Sequence, residues 1–144
     1  MRALGLLTLL LAGCGKIAPP ATPTMTADKA QALVPAPPDA DPAADLERIG
    51  DAHRDLTGRM QAQLSHLDKL MADWKSTMTT ALVDAEDDAQ RADLKKQDAE
   101  FRATDERLRR DLHEVYDPIL EDLERRLVDA ATRVKIEVDR LDGK

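Results

Sequence analysis

From Leu46 to Thr77 the chain reads LERIGDAHRDLTGRMQAQLSHLDKLMADWKST. Within this segment, a stripe recurs in alternating steps of three and four residues: Leu46, Ile49, His53, Leu56, Met60, Gln63, Leu67, Leu70, Trp74 and Thr77. This spacing places every member on one face of an α-helix, and it is typical of helices that pack against other helices. Three further residues widen the stripe on one side: Leu64, Met71 and Met78. The segment therefore predicts an all-α fold with coiled-coil character.

Two more stripes follow a stretch, residues 84–97, that is poor in large apolar side chains. The second stripe is out of register with the first and comprises Leu94, Phe101, Leu108, Leu112 and Val115. The third comprises Leu120, Leu123, Leu127, Ala131, Val134, Val138 and Leu141. Asp41-Pro42 and Asp117-Pro118 each have the form of an N-cap followed by a first helical residue, although a kinked continuous helix is the alternative at Pro118.

We therefore predict helices over about 42–83, 88–116 and 118–141, with a turn near residues 83–90. They are expected to fold as an elongated antiparallel helical hairpin or a three-helix bundle. The alternative is a self-associating coiled coil of much longer helices.

Composition restricts the function of the chain. Its 144 residues suffice for one modest domain, and only 2% are aromatic, which leaves little material to line a catalytic pocket. The formal net charge of −7 argues against a nucleic-acid partner, because no excess of basic residues exists to neutralise phosphates. The same charge argues against adsorption of the body onto anionic lipid.

Motifs for catalysis and metal binding are missing from the sequence. There is no glycine-rich phosphate loop and no nucleophile elbow, and none of His53, His66 and His113 pairs with another histidine at helical spacing. We therefore predict no enzyme activity, no metal and no cofactor. Met71, Trp74 and Met78 are candidates for contact with an apolar lipid or peptide cargo, although packing in the core is the simpler interpretation.

The N-terminal segment combines a basic residue, Arg2, with an apolar run, Ala3 to Leu11, that is too short to span a bilayer as a permanent helix. It closes with Leu11-Ala12-Gly13-Cys14, and Cys14 is the single cysteine of the chain, so no internal disulfide can form. This pattern is typical of a targeting segment.

The four residues Leu11-Ala12-Gly13-Cys14 resemble the lipobox of bacterial lipoproteins. The resemblance implies cleavage after Gly13, a diacylglycerol thioether on Cys14 and acylation of the new amino terminus. It also implies residence in the cell envelope, and the absence of Asp at position 15 favours the outer membrane, facing the periplasm. The resemblance covers residues 1–14 and specifies an address and an anchor, not the activity of the body.

The segment between the lipobox and the first stripe is rich in proline. Seven of the eight prolines lie between Pro19 and Pro42, so residues 15–41 are expected to be extended and disordered, with a reach of up to roughly 90 Å. A short helical turn over Thr26–Leu33, capped by Thr26, is expected to have nothing to hold it. The predicted organisation is a signal peptide over 1–13, a lipidated cysteine and tether over 14–41, and a helical body over 42–144.

The last residue is Lys144, and together with Cys14 and the helical heptads it resembles the pattern of the murein lipoproteins of enteric bacteria. In that family a terminal lysine joins a lipidated helical protein to peptidoglycan. The chain departs from the family pattern in its long tether and in the residues before the lysine.

Together these features predict a non-enzymatic envelope lipoprotein, with the membrane as one partner through its lipid and a further envelope protein as another. Its helical body would act as a spacer, scaffold or adaptor. The alternatives are a membrane-to-peptidoglycan linker through Lys144 and a periplasmic carrier or chaperone for apolar cargo.

Overall fold

A computed structural model describes residues 26–35 and 41–143. Within these ranges the chain forms a short helix α1, Ala27–Ala32, and two long helices, α2, Pro42–Asp84, and α3, Asp88–Asp142. The long helices are antiparallel, since residues near the start of α2 contact residues near the end of α3: Asp45 contacts Arg133, and Trp74 contacts Phe101. The predicted all-α hairpin is confirmed. At 1.5 Å per residue, α2 is about 65 Å long.

Local signals fix the start of each long helix. The side chain of Asp41 accepts a hydrogen bond from the amide of Ala43, and Pro42 occupies the first turn of α2, as the sequence predicts. After Asp84, three residues reverse the chain. Asp87 then caps α3 by accepting from the amide of Gln90, while the side chain of Gln90 accepts from the amide of Glu86.

The predicted first stripe is the face of α2 that packs against α3. Ile49, Leu56, Met60, Leu67 and Trp74 are buried on it. On α3, the buried and half-buried residues Leu108, Leu112, Tyr116, Ile119 and Leu123 are spaced by four, four, three and four. This spacing departs from a strict heptad and so shifts the core face around the helix. The difference in register between the first and second stripes coincides with the reversal at residues 85–87, which places them on different helices.

Pro118 does not begin a new helix, contrary to the prediction of separate helices over 88–116 and 118–141. It lies inside α3, which is continuous from Asp88 to Asp142. Tyr116 and Ile119, on either side of the proline, are both buried against α2, and this packing holds one helical path through the residue. Pro118 and Glu114, whose carbonyl loses its intrahelical donor, are exposed, so water can satisfy that carbonyl.

The third predicted stripe is only partly buried. Leu123 is fully buried, but the next buried position is Ala130 and not the predicted Ala131, which is exposed. Val138 and Leu141 are 48% and 60% exposed. The reason is geometric. The helix α3 is the longer one, and its C-terminal end extends past Pro42, the first residue of α2.

The expectation that residues 26–33 lack packed contacts is wrong. Thr26 caps α1 as predicted, but Ala30 is fully buried, and Leu33 and Val34 pack against the main core. The remainder of the predicted tether, residues 14–25 and 36–40, lies outside the described residues.

Candidate functional site

Both polar and apolar contacts join the described helices at the end of the hairpin where α1, the start of α2 and the last third of α3 meet. We call this end the base, defined by residues 26–35, 42–50 and 126–142, and the opposite end, residues 79–93, the tip. Ala30 is buried at the base, and the guanidinium of Arg126 donates to the carbonyl oxygen of Pro35 over 3.1 Å. The segment that precedes the long helices is therefore fixed to α3.

A buried carboxylate joins α2 to α3 within the base. The side chain of Asp45 is fully buried and accepts hydrogen bonds from Arg48, one turn later, and from Arg133 on α3 at 3.3 Å. A carboxylate without water around it is stabilised only where cationic donors replace the lost solvation. Asp45 therefore aligns the first turn of α2 with residue 133 of α3.

Polar pairs continue this alignment along the hairpin. The ring of His53 lies 3.3 Å from the carboxylate of Glu124, and Gln63 lies 3.4 Å from the hydroxyl of Tyr116. Both His53 and Gln63 occupy predicted stripe positions, where a polar residue can set the register between helices. Burial raises the pKa of the Tyr116 hydroxyl above its ordinary value.

Arg109 belongs to none of the predicted apolar stripes, a position typical of an exposed surface residue, but it contacts both long helices. Its guanidinium contacts Asp105 on its own helix and Asp68 on α2, each at 2.8 Å. The hydrogen bond to Asp105 is the main cause of its raised pKa. A substitution of Arg109 therefore alters a contact between helices and is not a neutral surface change.

The three residues proposed for apolar cargo lie towards the tip. Trp74 and Met78 are each 5% exposed and belong to a second core cluster with Ala85 and Leu94, while Met71 is half-buried. The indole of Trp74 stacks on Phe101, with ring centroids 4.4 Å apart. An incoming apolar ligand would have to displace this helix-to-helix packing.

A carboxylate fixes the orientation of the indole ring. The Nε1 of Trp74 donates to Asp98 over 2.9 Å, and Arg102 donates to the other oxygen of the same carboxylate over 2.8 Å. The hydrogen bond from Arg102, together with the one from Trp74, lowers the pKa of Asp98 in spite of its partial desolvation. Trp74 is thus anchored through both its face and its edge.

Cys14 and Lys144, the predicted sites of lipidation and of peptidoglycan attachment, lie outside the described residues. The nearest described residue after Cys14 is Thr26, and twelve peptide units can span about 40 Å between them. This distance is less than half the reach expected for a tether that continues to residue 41.

Sequence reasoning missed the docking of α1 and the role of Asp45. The cap at Thr26 was visible, but the burial of Ala30 has no distinct local signal, because the small alanine side chain is accepted on both buried and exposed helix faces. Asp45 carried a weak signal, since it lies beside Leu46 and Ile49 on the stripe and one turn before a basic residue, Arg48.

Neither a metal site nor a membrane-spanning helix is found among the described residues. No three or more His, Cys, Asp or Glu side chains converge there to hold a metal ion. His113 instead lies 3.1 Å from Asp117 on the same helix. None of the described helices is both long enough and apolar enough to cross a bilayer.

Comparison with known proteins returns no relative: no protein-family model, no curated protein and no solved structure matches the chain.

Proposed function

We propose that this protein is a non-enzymatic bacterial lipoprotein, anchored to an envelope membrane through acyl chains on Cys14, whose hairpin serves as a spacer and adaptor. The proposal rests on two features of the chain taken together. The lipobox-like Leu11-Ala12-Gly13-Cys14 lies only twelve residues before Thr26, and the first described helix after it, α1, is docked on the base of the hairpin. A lipid at Cys14 would therefore hold the base, and not the tip, close to the membrane.

The dimensions of the hairpin suit a spacer. With the base near the lipid, the tip would stand off by the length of α2, about 65 Å, or further with the chain before α1 extended. The core follows the whole length of the hairpin in two clusters, so this distance would be maintained by packed side chains. The partner reached in this way would be another component of the envelope, facing the periplasm if the anchor is in the outer membrane.

The absence of an enzymatic role is part of the same proposal. The charged side chains that meet between the long helices, such as Asp45 with Arg133 and Asp68 with Arg109, are engaged with one another. Groups held in such pairs stabilise a helix interface and are poorly placed to exchange protons with a substrate.

Substitution of the cysteine tests the anchor. We expect Cys14→Ser to abolish acylation and to release the protein from membranes, whereas Gly15→Asp should keep the lipid and move the protein to the inner membrane, as the resemblance to enteric lipoproteins implies. Mass spectrometry of the N-terminal peptide and membrane fractionation measure both effects. A wild-type peptide without acyl mass, together with unchanged partition of the serine variant, contradicts the proposal.

A photo-crosslinking amino acid tests the adaptor role. Placed at Val83, which is 77% exposed at the tip, it should capture a defined envelope protein in cells, while the same group at exposed Gln61, near the middle of α2, should capture less of it. Equal capture at both positions, or capture that survives in the Cys14→Ser variant, argues against a partner selected by distance from the membrane.

The linker through Lys144 remains an alternative proposal. The hairpin brings Gly143 back to the same end as Pro42, so a following lysine would start from the base and not from the tip. Peptidoglycan attachment requires muropeptide mass on the C-terminal peptide after lysozyme digestion. The carrier alternative requires a cargo that enters the packing around Trp74, and quenching of Trp74 fluorescence by lipid or unfolded peptide is its test.

A further inference from the structure

Few apolar side chains hold α1 on the hairpin. Within α1 only Ala30 is buried, and Leu33 and Val34, which follow it, are half-buried. The hydrogen bond from Arg126 to the carbonyl oxygen of Pro35 adds to these contacts. Every other buried member of the main core cluster lies on α2 or α3: Ile49, Leu56, Met60, Leu67, Leu112, Tyr116, Ile119, Leu123 and Ala130. Of the three described helices, α1 is therefore the most weakly attached.

The caps and the core of the hairpin are formed by α2 and α3. Asp41 and Asp87 cap the two long helices, and Asp45 joins α2 to Arg133 of α3. A helix of six residues is unstable in isolation, so α1 is either docked or unfolded. Parts of a protein with few buried apolar contacts open at a lower cost in free energy than its core. We therefore expect α1 to detach while α2 and α3 remain packed.

Docking of α1 changes the length of chain between Cys14 and the folded body. With α1 docked, the connection ends at Thr26, and its twelve peptide units reach at most about 40 Å. With α1 released, the connection continues to Pro42, and its twenty-eight peptide units reach at most about 90 Å. The two states of α1 thus differ by about 50 Å in the maximum distance between Cys14 and α2.

We infer that residues 26–35 form a releasable latch. When docked, the latch keeps the base of the hairpin near Cys14, and when released, it more than doubles the reach of the hairpin from that residue. The inference rests on the proposed function in one respect, because only an acylated Cys14 converts this reach into a distance from a membrane.

The position of α1 in the chain determines which contacts a pull on the hairpin loads first. The latch lies between Cys14 and α2, so a pull between the anchor and the tip acts on the docking of α1 before it acts on the packing of α2 against α3. The weaker contacts yield first. A partner held farther from the membrane is then reached by release of the latch, with the hairpin still folded.

Hydrogen–deuterium exchange followed by mass spectrometry measures the opening of the latch. The sample is the chain from Cys14 onward, which retains every described residue. The amides of Ala30, Leu33 and Val34 report on α1, because each donates to a carbonyl within residues 26–31. We expect them to exchange about 10- to 100-fold more slowly than in an unstructured chain, the range that burial of one aliphatic side chain corresponds to. Amides of α2 near Leu56 should exchange at least about 100-fold more slowly still.

A matched pair of serine variants tests which contacts hold the latch. Leu33→Ser removes a half-buried side chain and should speed exchange of the α1 amides about fivefold to tenfold, with exchange in α2 unchanged. Ala32→Ser, at an exposed position of the same helix, should leave exchange in both helices unchanged.

Three results of the exchange experiment overturn the inference. Exchange of the α1 amides at the rate of an unstructured chain means that α1 does not dock. Exchange as slow as that of α2 means that α1 opens only when the whole body unfolds. An equal response of α1 and α2 to Leu33→Ser also assigns both helices to one cooperative unit.

Single-molecule pulling measures the change in length. One handle is attached to the Cys14 thiol and the other to an azide-bearing residue in place of Val83, which is exposed at the tip. We expect a first extension of up to about 50 Å, since fifteen peptide units separate Thr26 from Asp41, at a lower force than the unfolding of the hairpin. Leu33→Ser should lower the force of this first step alone.

The absence of an extension before the hairpin unfolds, or a first step that Leu33→Ser leaves unchanged, overturns the inference. Both experiments use protein without acyl chains, so their outcome is separate from that of the proposed function. The latch can open in a chain that is never acylated in cells, and an acylated chain can have an α1 that never detaches.

Discussion

We expect the substitution Pro118→Ala to raise the free energy of unfolding, because Pro118 lies in the interior of a continuous helix. Proline there removes one intrahelical hydrogen bond, and it costs about 3 kcal/mol relative to alanine in an exposed helix interior. Part of this cost is offset, since proline restricts the unfolded chain by about 0.4–1 kcal/mol, and the carbonyl of exposed Glu114 can bind water. We therefore expect a net stabilisation of about 1–2 kcal/mol.

Asp117→Ala is the matched variant that distinguishes a continuous helix from a break. If a new helix began at Pro118, Asp117 would be its N-cap, and the loss of the carboxylate would cost about 1 kcal/mol. In the continuous α3, Asp117 forms only an exposed contact with His113 at 3.1 Å, worth at most about 0.5 kcal/mol. The two arrangements thus differ in whether Pro118→Ala stabilises the protein and in whether the loss from Asp117→Ala reaches about 1 kcal/mol.

Urea-induced unfolding followed by far-UV circular dichroism measures both free energies, with the slope m as a check that the denatured states are comparable. In thermal unfolding, each kcal/mol corresponds to about 4–8 °C for a domain of this size. If Pro118→Ala were neutral or destabilising while Asp117→Ala cost about 1 kcal/mol, the helix would be broken at residue 117, and the account of α3 given above would be wrong.

Three further predictions concern the core, the indole carboxylate and α1. Leu67→Asp should destabilise the protein by several kcal/mol, because it places an unpaired charge at a buried position. Lys95→Asp, at an exposed position, should change the free energy of unfolding by no more than about 0.5 kcal/mol. Equal urea midpoints for the two variants would contradict the assigned core face. Asp98→Asn should lower the melting temperature at pH 7, and the difference from the parent protein should shrink as the pH falls below about 4. The reason is that a carboxylate whose pKa is lowered by folding stabilises the native state only while it is ionised. A difference in melting temperature that is constant with pH would refute this role. Ala30→Asp should detach α1, which would speed proteolysis of residues 26–35 and lower stability by no more than the docking free energy of that helix. Gln31→Asp, at an exposed position, should have neither effect. Indistinguishable digestion patterns of the two variants would refute the docking.

The tether shows how far local signals extend. Thr26 has the chemistry of a cap, but a helix of six residues is unstable alone. Its stability comes from Ala30 and Leu33 packing on a surface that α2 and α3 create together. That surface exists only after the hairpin has formed, so no window of sequence around residue 30 could have predicted the contact.

The candidate site was predictable only in part. The lipobox-like residues could be identified directly, because all four are contiguous in sequence. Asp45 and Arg133 are separated by most of the chain, and their ion pair depends on the offset between α2 and α3. Val138 and Leu141 look like members of an ordinary core face in sequence, since their exposure depends on where the opposing helix begins.

The sequence by itself determined the helical class, the stripe of α2, the caps at Asp41 and Thr26 and the position of the reversal, because each of these depends on residues within one or two turns. The tertiary structure decided that α3 runs through Pro118, that α1 docks, and that Val138 and Leu141 are exposed where α3 extends past the start of α2. The physical reason is the same in all three cases. Packing between distant segments contributes more free energy than the local preference of one proline or one short helix, and the length of α2 sets where that packing ends.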